Sequence, residues 1–428
     1  MFETMSASPA AETKTFRKSR RFIGGSLSGK SRVRNRGRNV RKRFDLAVRM
    51  TYTIDLMRNP NSIFRRLLRF GAVVCSIVVS TFTWANPPEG VLDLNHAGVK
   101  NVVAVQQDVT TELMRAPEIL GTAVGLNDAG EPALVVYVDK DGKGASEVVR
   151  ALPPHLRGVA VKVELTEKFT AYKGKPGSGV SHKAKQTAPI QLGTSGGWRT
   201  DLTNGYCCGG TLGSLIKVNN VQYILSNYHV LEADIVNGGN GITAQTGDNV
   251  IQPGLIDVSC NANNAQNVAT LVKISSLPAN NVDCAIAQVI PGMVNTNGAI
   301  LEIGTLSSQT VAASLNQAVK KSGRTTGLTR SRVSGLNATI SVAYDNECAG
   351  GAAFTKIFTG QIVIANNGSG FLNSGDSGSL MVADVTTNPR AVGLLYAGSS
   401  TSAIANPINE VLQYIGSQLG GTASMVGN

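Results

Sequence analysis

The sequence predicts an all-β C-terminal half of barrel or sandwich type, preceded by a small α/β unit and a basic leader. Three observations carry this. From residue 199 on, short β-branched runs are broken by Gly, Asn and Ser at close intervals, the texture of many short strands joined by tight turns. Between residues 91 and 172 the apolar period instead switches between helical and strand-like. Finally, residues 1–85 hold 18 Lys/Arg against 4 Asp/Glu and residues 86–428 hold 22 against 24, so the net charge of +12 resides in the leader. A nearly neutral body gives nucleic-acid or polyanion binding no electrostatic support.

The uncharged run Phe70 to Ala85 follows the basic stretch Arg58 to Arg69 and precedes Asn86-Pro87-Pro88. A basic segment, an apolar core and small residues at Thr83 and Ala85 are the layout of a secretory signal peptide. The run falls short of the ~20 apolar residues that cross a bilayer. The expectation is a leader over residues 1–85 that is cleaved near Asn86, a secreted or periplasmic body, and no stable membrane anchor. A signal should open a chain, yet this one lies behind SGKSRVRNRGRNVRKR (Ser28 to Arg43), with Met50 and Met57 just upstream of it. Residues 1–49 are therefore expected to be an over-extended reading frame. The rival is a basic tail for nucleic acid or anionic lipid. Cys75, with no leucine-led lipobox, is read as filler.

Residues 86–172 read as the small α/β domain. Val102, Val105, Val109 and Leu113, at spacings of three and four, predict a helix ending near Pro117. Strands follow over Ile119 to Leu126 and Ala133 to Val138, with a turn at Asp128-Ala129-Gly130. A short helix, Ala145 to Leu152, stops at Pro153-Pro154, and a last strand spans Val159 to Leu165. This order suits a small sheet with both helices on one face. Residues 173–198 are rich in Gly, Pro, Ser and Lys without a period and read as a linker open to proteolysis.

Residues 199–428 form the all-β domain. Strands are expected at Gly209 to Val218, Val221 to Leu225, Ala269 to Ile274, Ala285 to Val289, Ala318 to Ser322, Ile340 to Ala343, Ile362 to Ile364, Leu380 to Ala383 and Ala391 to Tyr396, with one helix at Pro407 to Ile415. In an oxidising compartment its five cysteines allow one or two disulfides and leave one thiol over. Cys284, inside the apolar run VDCAIAQVI, is the expected buried thiol, and Cys260 is expected to pair with Cys207 or Cys208.

Peptide hydrolysis at neutral pH needs a hydroxyl activated by a base, a group fixing that base's tautomer, and backbone donors for the oxyanion. The sequence offers a candidate for each. Ser377 sits in Asn373-Ser374-Gly375-Asp376-Ser377-Gly378-Ser379, whose glycines allow unusual backbone angles, and the Gly375 and Ser377 amides are the natural oxyanion donors. His229 ends the apolar strand of YILSNYHVL, and Asp283 leads into the strand of NVDCAIA. The other histidines, His96, His155 and His182, fall in loops or linker and read as solvated.

The order His, Asp, Ser and the segments CGGTLG, LSNYHVL, VDCAIA and NSGDSGSL resemble the trypsin-like (chymotrypsin-fold) serine proteases, especially the bacterial secreted members, over about residues 188 to 418. The resemblance implies a double β-barrel with the triad in the cleft: His229 and Asp283 from the first barrel, Ser377 from the second. It implies a secreted serine endopeptidase acting on protein or peptide substrates through an acyl-enzyme, with no cofactor and no metal. Val230 stands where vertebrate-type members keep a cysteine, and Phe371 where trypsins keep a specificity aspartate. With the uncharged strand Ala391 to Gly398 as a pocket wall, this points to a neutral or apolar P1 residue. Arg324, in GRTTGLT, is expected to be a surface or inter-loop donor. The alternative function is a catalytically inactive module of the same fold that binds protein partners. Residues 86–172 are a candidate prodomain that inhibits intramolecularly by covering the cleft; no Ile-Val-Gly-Gly start is present to insert beside Asp376.

Overall fold

The structure, a computed structural model, describes residues 90–171, 181–203, 206–232, 244–344, 354–368 and 370–428. The leader, the turn at 238–241 and Cys348 lie outside these. All described residues belong to one unit beginning at Phe82.

The α/β segment forms as its periods dictate. Helix α1 (Ala97–Leu113) buries Val99, Val102, Val105 and Gln106 along one stripe. Strands β1 (Ile119–Leu126) and β2 (Pro132–Asp139) pair antiparallel, and after α2 (Ala145–Ala151) strand β3 (Val159–Thr166) joins parallel to β2. A short strand, β4 (Phe169–Thr170), follows.

The next seven strands make the first curled sheet: β5 (Thr194–Trp198), β6 (Gly210–Leu212), β7 (Ser214–Val218), β8 (Val221–Ser226), β9 (Asn249–Gln252), β10 (Gln266–Val272) and β11 (Ala285–Val289). A four-residue helix, α3 (Tyr228–Leu231), follows β8. Hydrogen bonding runs β7-β8-β11-β10-β9-β5-β6. Strands β6 and β7 are one run of chain interrupted only at Gly213, so pairing to β5 at one end and β8 at the other closes six strands into a barrel. A Cβ at Gly213 would meet the Gly378 carbonyl oxygen at 2.1 Å, so only glycine lets the second barrel's Ser377 turn approach here.

The second barrel comprises β12 (Ala318–Gly323), β13 (Gly327–Tyr344), β14 (Phe354–Ala365), β15 (Leu380–Ala383), β16 (Ala391–Gly398) and β17 (Ser402–Pro407). Its ring, β12-β15-β16-β17-β14-β13, is closed by the β12–β13 pairing. Helix α4 (Ile408–Leu419) ends at Gly420, left-handed at φ 64°, and places Ile408, Val411, Leu412 and Ile415 in the core of the first barrel. The protein is thus mostly β, in two curled sheets of trypsin-like double-barrel type.

The 18-residue strand β13 explains how the α/β segment attaches. One edge stays with β14, while the other passes from β12 (Gly327 to Arg332) to β1 (Leu336 to Ile340) and then to β4 (Val342 and Ala343). The α/β sheet is therefore continuous with that of the second barrel. Leu120, Val135, Tyr137 and Phe169 share one apolar cluster with Tyr228, Tyr344, Phe358 and Tyr396. Each such side chain contributes about 1.5–3 kcal/mol when fully buried, so the segment is anchored by more than a tether.

Two expectations are corrected. Residues 181–198 are built into the first barrel: Ile190 and Leu192 are buried and β5 starts at Thr194, an apolar alternation hidden among Gly, Ser and Thr. His182 is buried, its Nδ1 2.8 Å from the Gly193 carbonyl and its Nε2 2.6 Å from the Glu302 carboxylate. Cys207 pairs with Cys260, and Cys284 is the buried free thiol. Among the described residues no helix is long and apolar enough to cross a membrane, and no cluster of His, Cys, Asp or Glu suits a metal ion.

Candidate active site

His229 is positioned by a single turn of helix. Asn227, extended at φ −90° and ψ 156°, follows β8 and caps α3, which swings the imidazole toward β11. Asp283 lies just ahead of β11, which pairs with β8, so the two strands bring the residues together. His229 Nδ1 lies 2.6 Å from Asp283 Oδ2. The carboxylate is held on several sides: the Tyr228 amide donates to Oδ1 at 2.8 Å and the Tyr344 hydroxyl to Oδ2 at 2.9 Å. The Asp283 backbone is fixed by Asn227 and Asn406 side chains. This arrangement suits an imidazole carrying its proton on Nδ1 and leaving Nε2 as a base. His229 Nε2 is buried and has no hydrogen-bond partner among the described residues.

Ser377 is presented between two glycines in left-handed backbone, Gly375 at φ +92° and Gly378 at φ +91°. One residue of the first barrel clasps this turn. The Thr211 amide donates to the Ser377 carbonyl and the Thr211 hydroxyl to the Gly375 carbonyl, both at 2.9 Å. Both residues expected to supply oxyanion donors are thus anchored through their carbonyls. The Ser377 hydroxyl donates to the Tyr396 carbonyl at 3.2 Å, so in this state the hydroxyl–imidazole link is not made. His229 is 1 % exposed and Ser377 0 %, so the pair is closed off from solvent.

Asp376 is the electrostatic anchor of the turn. Its carboxylate accepts from the Thr325, Thr326 and Asn373 amides and the Thr326 hydroxyl, and Lys321 Nζ lies 3.3 Å away with both side chains fully buried. Burial pushes the Lys321 ammonium below its ordinary range, with Asp376 opposing. Arg324 is an inter-loop donor, as expected, but not a surface one: it is 2 % exposed and binds Asp257 with two bonds of 2.6 Å. Phe371 lies in the second barrel's core cluster with Leu372, Met381 and Leu395.

Thr211, Lys321, Tyr344 and Glu232 were not singled out for these roles by the sequence. Of these only Thr211, inside CGGTLG, stood in a motif. Glu232, three residues past His229, is fully buried and accepts from the Ile274 and Ser275 amides. Burial lifts its carboxyl to about 7, with the two amides opposing. The folded protein therefore holds a proton on Glu232 that the unfolded chain releases above pH ~4.5. This contribution to stability is full below that pH and lost as pH rises to about 7. Glu232→Gln should remove the dependence, so that the variant gains roughly 3 kcal/mol on wild type between pH 4 and pH 8. Urea unfolding at both pH values measures this, and parallel curves for the two proteins would contradict it.

Comparison with known proteins places this geometry in context. Residues 264–406 match the family model described as the Nal1 C-terminal domain, a stretch containing Asp283 and Ser377 but not His229. No curated protein matches the chain. Among solved structures, the chain is similar to a glutamic acid specific serine protease described as using a histidine triad in substrate binding, at 18 % identity and a TM-score of 0.36, covering 55 % of this chain and 100 % of that one. It is also similar to Thermobifida fusca protease A, at 17 % identity and TM-score 0.35 over 56 % and 99 % of the two chains. Cellulomonas bogoriensis chymotrypsin matches at 20 % identity and TM-score 0.32 over 56 % and 99 %.

Proposed function

We propose that this chain is an exported serine endopeptidase that hydrolyses peptide bonds through an acyl-enzyme. His229 takes the Ser377 proton, Asp283 holds the imidazole tautomer, and the Gly375 and Ser377 amides stabilise the oxyanion. The observation that carries this reading is the buried 2.6 Å His229–Asp283 bond, with the Ser377 turn clasped to the same barrel through Thr211. The uncharged wall of β16 supports a neutral or apolar P1 residue.

The alternative, a catalytically inactive module that binds protein partners, draws on the burial of Ser377 and His229. We reconcile that burial with catalysis through intramolecular inhibition by residues 86–172. Strand β4 fills the gap between β13 and β16, with Thr170 paired to both Ala343 and Gly398. It thereby occupies an edge of β16, the expected pocket wall, where an extended peptide would add. Side chains of Glu164, Thr166 and Glu167 bond to the hydroxyls of Ser402, Thr401, Ser399 and Ser400 and hold the segment down. Asp376 already has Lys321 as counter-charge, which favours occlusion over insertion of a new N-terminus.

A fluorophosphonate probe tests both parts, with the labelled residue mapped by mass spectrometry. Slow labelling of Ser377 in the intact chain and faster labelling after cleavage within residues 173–180 are expected. Equal rates would remove the inhibitory role. No labelling of folded protein in either form would favour the inactive module.

A further inference from the structure

We propose that Tyr344 is a positioning residue that sets the proton affinity of the His229–Asp283 pair, a role that rests on the triad reading above. Its hydroxyl donates at 2.9 Å to Asp283 Oδ2, the same oxygen that lies 2.6 Å from His229 Nδ1. Its ring also meets the His229 ring edge to face, with centroids 5.9 Å apart and planes at 70°. One side chain from the second barrel thus touches both members of a pair carried by the first.

Placement of the ring leaves it little freedom. Tyr344 is 1 % exposed and stacks on Phe354 at 4.8 Å with planes 6° apart, and it belongs to the cluster that receives Tyr137 and Phe169 from the α/β segment. Burial first, and the Asp283 charge second, raise its phenol well above the ordinary value, so the hydroxyl remains a donor at working pH.

The chemical consequence follows from sharing one acceptor oxygen. A second donor withdraws charge from the carboxylate and weakens its hold on a protonated imidazole. Without the hydroxyl, Asp283 concentrates its charge on His229 and the imidazolium persists to higher pH. The other groups facing the pair do not replace this donor. Glu232 from the end of α3 and Cys284 beside Asp283 are groups whose titrations are raised by burial first and by the Asp283 charge in addition. Tyr396 on β16 feels Asp283 and Glu410 of α4, and Lys273 acts on Glu232. Lys356 of β14 lies over the Phe358 ring, 5.3 Å from its centroid.

The test is Tyr344→Phe in the full chain, which keeps the aromatic ring and removes only the hydroxyl. The acid limb of kcat/KM should move up by about half to one pH unit, and kcat should fall roughly ten- to hundredfold, as expected for loss of a hydrogen bond to a charged group. Phe354→Leu, which removes the stack but leaves the hydroxyl, should lower thermal stability without moving the acid limb. A readout independent of turnover is the low-field proton resonance of the His229 Nδ1–Asp283 hydrogen bond, which should shift in Tyr344→Phe. An acid limb and a resonance both unchanged in Tyr344→Phe would overturn the inference. Wild-type protein that neither labels nor turns over would instead sink the endopeptidase reading, and the resonance would still report on Tyr344.

Discussion

Asp283→Asn is expected to lower kcat toward a peptide substrate by about 10⁴-fold at neutral pH while leaving the fold intact. The reason lies in the donors around the carboxylate. Asp283 Oδ1 accepts from the Tyr228 amide, so an asparagine at this position keeps its carbonyl there and turns its NH2 toward His229 and Tyr344. The NH2 then donates to Nδ1, which forces the imidazole proton onto Nε2, the atom that must take a proton from Ser377. Tyr344 can turn its hydroxyl oxygen to accept, so the cost in stability is confined to the bond its own O–H made to the carboxylate, about 1–3 kcal/mol. Measuring kcat alongside thermal unfolding separates the two effects. A folded variant that keeps its rate within tenfold of wild type would remove Asp283 from the mechanism.

How much of this was legible in the sequence depended on whether a residue's role is local. β1, β11 and β15 were read at their observed limits because each is a short apolar run between turn residues. The GDSG turn and the residues around His229 and Asp283 were equally plain, since each occupies a few consecutive positions. Strand β13 was seen only at Ile340 to Ala343: its first half, GLTRSRVSGLN, is polar because it lies at an edge that changes partner, and only the later residues alternate buried and half-buried. The joining of the α/β sheet to β13 was invisible for the same reason, because it depends on which strand edge is left unpaired. Tyr344 lies 61 residues from Asp283, and no spacing rule connects them. His182 was misread because Glu302, its partner 120 residues away, gave no local sign.

Lys321 carried no sequence signal either, and it leads to the second large expected effect. Lys321→Met should destabilise the protein by about 3–5 kcal/mol, the range for removing one partner of a buried ion pair. Lys321 and Asp376 are both 0 % exposed, and Met fills the volume of the lysine stem without answering the charge. Asp376 keeps its three amide donors and the Thr326 hydroxyl, which places the loss toward the lower end of that range, while the Gly327 carbonyl loses the Lys321 bond. Activity should fall with stability, because Asp376 immediately precedes Ser377 and its carboxylate holds Thr325, Thr326 and Asn373 around the turn. The compensating change distinguishes charge from packing. Adding Asp376→Asn to Lys321→Met removes the stranded charge while the amide oxygen still accepts from the Thr325 and Thr326 amides, but the new NH2 faces the Asn373 amide, so the double variant should recover part of the lost stability in urea unfolding. If the single variant loses less than about 1 kcal/mol, or the second substitution makes matters worse by a further full increment, the ion pair is not what holds the nucleophile turn, and the amide donors alone position Ser377.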